Sequence, residues 1–372
     1  MDDKSLILPV KGEADKIKSL KDFYVSFSNP GSRPCYLFGY NRYAGSILKK
    51  FKIEGIIDDF TSCSSIAEKP IIRSSEIPAN ALVLVLAGGK PLTVSRFLDR
   101  LNIEHQHYFS LFKLWKKDLC PIHFNEGFES DFLSNREKYE WTYQLLADRE
   151  SRHCYQNLVN FRLQYDFDFL EGFSDQESQQ YFEPFLNLRR EGECFADIGA
   201  FDGYTSEMFI SLCPAYKQIH VFEPDPNNLL NARKRLSHHN HVYFYPIGLS
   251  DRAETLRLSS SGSGSRVSDT GDITIKVDAL DDVTNTDFSF IKMDIEGGEI
   301  SALKGAEKTI KRCHPKLAIA IYHCIENSGP FWEVPKKVLS IRSDYDVYVR
   351  HYTESIYETV MFFVPRASRA GI

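Results

Sequence analysis

The chain has 372 residues, roughly two to three times the usual single-domain size of about 150, so two domains are expected. Hydrophobic residues make up 42% and charged residues 26%, a balance that excludes wholesale disorder. Lys plus Arg number 45 against 51 for Asp plus Glu, a formal net charge of −6 without a strongly basic stripe, so no nucleic-acid partner is expected.

Met1–Lys11 alternates charged and apolar residues and gives no sign of a signal peptide. The longest apolar runs, Ala81–Ala87 and Leu317–Tyr322, are strand-length and too short for a membrane span. Eight cysteines are scattered without a CxxC pair. These features point to a soluble, reduced, cytoplasmic protein, with a homo-oligomer compatible.

Strand and helix patterns alternate first over residues 34–111. Cys35–Phe38, Ile53–Ile57 and Leu82–Leu86 read as strands, with helices at Ala44–Phe51 and Leu92–Leu101. The reading is a small Rossmann-like α/β domain over residues 1–111. Residues 112–190 show no strand pattern, and Trp141–Leu146 and Tyr155–Leu163 space apolar residues as helices do. They are expected to form a helical connector packed on the carboxy-terminal half of the chain.

The alternation resumes over 191–372. Strands are expected at Cys194–Ile198, Ile219–Phe222, Val242–Ile247, Phe288–Met293 and Leu317–Tyr322, and helices at Thr205–Leu212, Pro226–Leu236 and Ile300–Lys311. Short strands Thr255–Leu258 and Ile273–Val277 flank the tract Ser259–Ser265, read as a loop over the site. Asp346–Arg350 and Glu358–Val364 lie too close in sequence for a crossover helix and must pair antiparallel.

Asp197-Ile-Gly199-Ala200-Phe-Asp-Gly203-Tyr-Thr205 comes after a strand and opens a helix, so its glycines permit a tight turn and close ligand approach. Glu223, with Pro224 next to it, ends the next strand, where a carboxylate can accept hydrogen bonds from ribose hydroxyls. NAD and S-adenosylmethionine both suit such a crevice. Asp197 ahead of the glycines would repel a diphosphate and welcome an ammonium, the loop lacks the G-x-G fingerprint, and the sheet ends in an antiparallel hairpin. These three features favour S-adenosylmethionine.

Four segments carry a resemblance: Phe195-Ala-Asp-Ile-Gly-Ala-Phe-Asp-Gly203, Val221-Phe-Glu-Pro-Asp225, Val277-Asp-Ala-Leu-Asp281 and Phe290-Ile-Lys-Met-Asp-Ile-Glu-Gly-Gly-Glu299. Through them residues 191 to about 364 resemble the FkbM family of S-adenosylmethionine-dependent methyltransferases. Ile321-Tyr-His323 and Arg350-His-Tyr352 resemble a branch with a long amino-terminal extension. The resemblance implies a class I methyltransferase sheet and O-methylation of a hydroxyl on a sugar, glycan or secondary metabolite. Cofactor contacts are expected from Asp197, Gly199, Ala200, Gly203, Thr205, Glu223, Pro224, Gly248 and Asp294.

Methyl transfer needs an oxygen aligned with an activated methyl and one proton removed. Asp294 and Glu296, at the end of the fourth strand, and His323, closing the fifth, are the expected catalytic residues, with His323 as base because imidazole titrates near neutrality. His351 closes the sixth strand. Lys292, inside an apolar strand, is expected to pair with Asp294 or Glu296. No metal ligand is assigned, although Asp294, His323 and the Glu326–Asn327 pair could surround a cation. His238-His239-Asn-His241 reads as a solvated turn.

In the first domain Gly39-Tyr-Asn-Arg-Tyr-Ala-Gly45 comes after a strand and Asp58 lies nineteen residues beyond Gly39. That spacing suits a nucleotide or nucleotide sugar, and equally a ligand-free docking or dimerisation module. Two rival functions are open. One is a nucleotide-sugar or dinucleotide enzyme using this domain, and the other a non-catalytic S-adenosylmethionine-binding protein.

Overall fold

Residues 5–6, 14–259, 266–267, 273–326 and 328–366 are described by the computed structural model. The first part contains α1 (Ala14–Ser28), β1 (Cys35–Phe38), α2 (Ala44–Lys50), β2 (Gly55–Ile57), β3 (Ser65–Ile66), β4 (Lys69–Ile72), β5 (Leu82–Val85), α3 (Pro91–Arg100), β6 (Glu104–His107) and α4 (Tyr108–Leu114). Its sheet has six strands in the order β3-β4-β2-β1-β5-β6, parallel except for the β3–β4 pair. β5 is buried at every position, as a parallel strand covered on both faces requires. The sheet is therefore wider than the three strands read from sequence.

Two long helices come next, α5 (Phe128–Leu145) and α6 (Arg149–Gln164). Asp148 caps α6 by accepting from Ser151 N at 2.6 Å, and Tyr165 ends it in the left-handed region at φ 54°. α6 packs on the terminal hairpin, where Val349 N donates to Ser151 Oγ. The fully buried Arg162 guanidinium ties distant segments together. It donates to Phe124 O and Asn125 Oδ1 on one side, and to Tyr322 O and Ile356 O on the other.

The remaining elements are β7 (Cys194–Ile198), α7 (Tyr204–Leu212), β8 (Gln218–Phe222), α8 (Pro226–Arg235), β9 (Val242–Tyr245), β10 (Gly248–Leu249), β11 (Glu254–Ser259), β12 (Arg266–Val267), β13 (Ile273–Asp278), α9 (Leu280–Val283), β14 (Phe290–Met293), α10 (Glu299–Gly305), α11 (Glu307–Cys313), β15 (Lys316–Ala320), α12 (Pro330–Ile341), β16 (Tyr345–His351) and β17 (Thr359–Pro365). The main sheet runs β16-β17-β15-β14-β7-β8-β9, parallel from β15 to β9 and antiparallel through β17 and β16. This is a Rossmann-like sheet ending in an antiparallel hairpin.

Three details differ from the sequence reading. β10 to β13 form a separate four-stranded sheet instead of interrupting the main one. The helix expected at Ile300–Lys311 is two helices, which part at Ala306 (φ −106°, ψ 9°). α12 has no counterpart among the expected helices. Of the Ser259–Ser265 tract expected to cover the site, Ser259 ends β11 and residues 260–265 lie outside the described residues.

One hydrophobic core runs from Leu37 and Leu84 through Tyr155 and Phe161 to Ile291 and Ile319. The connector therefore forms a packing layer between the two sheets. The opposite face of the main sheet has its own core around Phe195, Phe209 and Phe290.

Candidate active site

The carboxyl ends of β7, β8, β14 and β15 lie side by side. Beyond β7 the chain turns through Gly199 at φ 74°, and the Gly199 and Ala200 amides both donate to Phe222 O. A Cβ at Gly199 would lie 1.8 Å from the Asp294 carbonyl oxygen, so only glycine fits this crossing. Gly203, at φ 83°, precedes α7 and lets it approach Ala232 on α8, where a Cβ would be 3.1 Å from the Ala232 Cα. Both glycines thus have a packing reason as well as a place in the loop.

Asp197 is fully buried and does not reach the open crevice. Ser206 Oγ donates to its Oδ2 at 2.7 Å, and Lys292 Nζ lies 3.3 Å from its Oδ1. This corrects the expected ammonium contact, because the chain itself supplies the cation. It also corrects the expected partner of Lys292. Lys292 and Asp197 are register partners on adjacent parallel strands, whereas Asp294 and Glu296 lie beyond the end of the strand that carries Lys292. Lys292 Nζ further donates to Gly199 O at 2.6 Å and so anchors the glycine turn.

Glu223 is buried at the mouth of the crevice. Its Oε2 accepts from Phe201 N and its Oε1 from Asp225 N, both at 2.9 Å. Burial pushes its carboxyl up, against the pull of the Asp225 and Phe201 amides. A cavity of about 340 Å³ is lined by Gln180, Tyr181, Phe182, Tyr204, Thr205 and Met208. A second, of about 350 Å³, is lined by Pro224, Pro226, Leu229, Pro246 and Ile275. Gly248 sits behind that wall, where a Cβ would be 3.1 Å from Val277 Cγ1 and 3.7 Å from Pro224 Cγ.

Asp294 and His323, on adjacent strand ends, come together. His323 Nε2 lies 3.4 Å from Asp294 Oδ1, and Nδ1 lies 2.8 Å from Glu299 Oε1. Glu299, the last residue of the Lys292–Glu299 motif, had no expected role; it also accepts from Ile295 N and Gly297 N, holding the turn after β14. That turn places Glu296 at φ 59° and Gly297 at φ 100°, and Glu296 Oε2 is buried without a hydrogen bond. Tyr181 OH donates to Asp294 Oδ2 at 2.6 Å, and Gln180 Nε2 to Glu358 Oε2 at 2.6 Å. A connector segment therefore lies across the strand ends, which no periodicity in residues 112–190 announced.

The charge state of this cluster differs from the expected one. Burial works to lower the His323 pKa, but Glu299, Asp294 and Glu296 outweigh it and raise it to about 9. The surrounding carboxylates thus favour the protonated ring over the free base expected from the sequence. Burial first, then Asp294, Glu299 and Glu358, push Glu296 up to about 8 despite His323. Burial and Asp294 push Glu358 up to about 7. His351 stands apart on edge strand β16, bonded to Thr359 Oγ1, and burial lowers it to about 3.

The crevice of the first sheet is partly filled by the chain. Asp58 accepts from Phe60 N and Thr61 N, so the carboxylate expected to serve a nucleotide holds a turn. Glu354 accepts from Thr93 N and Thr93 Oγ1 at the start of α3, where a phosphate would otherwise be welcome. Tyr43 OH and Tyr357 OH meet at 3.2 Å. The loop between β16 and β17 thus bridges the two sheets. No described helix is long and apolar enough to cross a membrane.

Residues 197–349 match the family model described as the Methyltransferase FkbM domain. Among solved structures, the methyltransferase FkbM from Methylobacillus flagellatus KT is similar at 21% identity and a TM-score of 0.71, over 97% of this chain and 95% of that one. At this identity the likeness establishes a shared fold, including the first sheet and the connector. The fibrillarin/NOP5P complex overlaps 48% of this chain and 74% of its own at 13% identity, TM-score 0.33. An rRNA methylase from Streptococcus thermophilus overlaps 54% and 94% at 13% identity, TM-score 0.33. No curated protein matches the sequence. The match over the glycine turn, Glu223 and the Asp294 cluster shows that the chain carries an FkbM methyltransferase domain, with S-adenosylmethionine as its methyl donor.

Proposed function

We propose that the protein methylates a hydroxyl oxygen of a sugar, glycan or secondary metabolite. The observation that carries this reading is the contact between the donor-side turn at Gly199 and the backbone of Asp294, whose side chain faces His323. Donor loop and carboxylate cluster are thereby neighbours. When bound, S-adenosylmethionine supplies a methyl group already activated on sulfur. Glu223 holds the ribose, and Thr205 and Tyr204 line the polar cavity at the amino-acid end. Asp294 orients the acceptor hydroxyl. The oxygen gains the methyl and gives its proton to the carboxylates and onward to solvent, while the carbon–sulfur bond breaks to leave S-adenosylhomocysteine.

Alignment of this kind can supply about 7–11 kcal/mol, more than the roughly 3–5 kcal/mol of proton management. Ile-Glu-Gly after Asp294, in place of a Pro-Pro-aromatic run, supports oxygen over an exocyclic amine as acceptor. In this reading residues 1–111 serve substrate docking, 112–190 connect and cover, and 191–372 transfer the methyl group, all in the cytoplasm. Transfer of radiolabelled methyl to a panel of hydroxyl, amine and carboxyl acceptors tests it. Label in an alkali-stable ether is expected, and label found only on nitrogen or carboxyl would overturn it.

A further inference from the structure

The cluster at the strand ends has an unfilled coordination pattern. Asp294, Glu299 and His323 each offer a ligand atom, all within 4.8 Å of one another. His323 is fully buried, and its Nε2 makes no hydrogen bond although it lies 3.4 Å from Asp294 Oδ1. Ligand bonds of about 2.0–2.1 Å at a tetrahedral angle put neighbouring ligand atoms about 3.4 Å apart. On the other side of the ring, Glu299 Oε1 lies 2.8 Å from Nδ1. A carboxylate on the far nitrogen is the usual device that orients a metal-bound imidazole. Glu299 is itself fixed by the Ile295 and Gly297 amides, so the ring cannot easily turn.

Lys292 cannot neutralise the cluster, because its charge is engaged by Asp197 and its proton by the Gly199 carbonyl. Glu296 adds another buried oxygen, Oε2, without a hydrogen bond. The chain thus gathers carboxylates around one imidazole whose Nε2 makes no hydrogen bond and lies toward Asp294.

We propose that His323 Nε2 and Asp294 bind a divalent cation, with Glu299 as the residue that orients the imidazole and water completing the coordination. Imidazole with carboxylates selects a first-row ion such as Mn²⁺ or Zn²⁺ over Ca²⁺ or Mg²⁺. The ion lies where an acceptor hydroxyl has to arrive, and as a Lewis acid it eases loss of the hydroxyl proton. That role rests on the O-methyl reading; the binding rests on the side chains alone.

The test uses the full chain, dialysed against a chelator and titrated with Mn²⁺ alone, followed by electron paramagnetic resonance, and with Zn²⁺ alone by calorimetry. One equivalent per chain is expected. His323→Ala should lower the affinity at least tenfold, and Glu299→Gln by about 10–100-fold. Circular dichroism confirms that each variant is folded. Absence of stoichiometric uptake of both ions by the wild-type chain at millimolar metal overturns the proposal, as does unchanged affinity in folded His323→Ala. Neither donor nor acceptor is present in these titrations, so their failure is separate from failure of the methyl-transfer reading.

Discussion

Lys292 and Asp197 face each other in register on β14 and β7, with Nζ 3.3 Å from Oδ1 and both side chains buried. Removing one member of such a pair leaves an uncompensated charge and typically costs about 3–5 kcal/mol. Lys292→Met should therefore destabilise strongly and free the Gly199 turn. The double variant Lys292→Met, Asp197→Leu should recover part of the loss. Urea unfolding of the three proteins checks this, and equal loss in single and double variants would deny the pairing.

Glu223 bridges two amides at the end of β8, and the proposed function gives it the ribose of the donor. Glu223→Ala should weaken S-adenosylmethionine binding by roughly 2–3 kcal/mol. Calorimetry with unchanged affinity would place the ribose elsewhere.

Gly199 and Gly88 make a contrasting pair. A Cβ at Gly199 meets a carbonyl oxygen at 1.8 Å, in a left-handed conformation, while a Cβ at Gly88 meets nothing within 4 Å. Gly199→Ala should cost about 1–3 kcal/mol from overpacking plus about 1–2 kcal/mol from its backbone conformation, and abolish donor binding. Gly88→Ala should stay within about 0.5 kcal/mol of wild type. Thermal denaturation with and without S-adenosylmethionine reads both effects.

Asp148 Oδ2 lies 2.8 Å from Arg350 Nη2. Burial pushes the Asp148 carboxyl up, but hydrogen bonds from Arg350 and Ser151 and the guanidinium charge outweigh it and hold the pKa below its ordinary value. A pKa depressed in the folded state adds stability above the unfolded value, about 3.9, that is lost as pH falls through the folded one. Asp148→Asn keeps an N-cap and removes the charge. It should cost about 1 kcal/mol or less at pH 7, given solvent screening of a partly exposed group, and the difference should vanish as pH falls below about 4. A constant difference between pH 7 and pH 3 would assign the effect to the cap.

The order β7–α7–β8 was legible because its signals are local: a buried run, a glycine turn and a carboxylate at the next strand end. The antiparallel β16–β17 pair was legible from the short span between them. The partner of Lys292 was not, since cross-strand register decides it and Asp197 lies nearly a hundred residues earlier. Tyr181 was hidden because its connector segment has no strand pattern, yet its hydroxyl reaches Asp294. Glu299 was visible in the motif, but only the fold aims it at His323 Nδ1. α12 escaped notice because Pro335 argues against a helix there, although Pro330 stands at its first position, where proline is accepted. β3 is two residues long, below what alternation can reveal.

The Arg162 guanidinium spends its donors on Phe124, Asn125, Tyr322 and Ile356. These acceptors come together around α6 only when the segment before α5, the segment after β15 and the β16–β17 loop have all assembled. A half-built molecule would have to keep that cation wet or leave it stranded, and both states are costly. The chain should accordingly melt in one cooperative calorimetric transition. A fragment starting at residue 191 would lack the arginine that clasps its own Tyr322 and Ile356 carbonyls, and should refold poorly by itself.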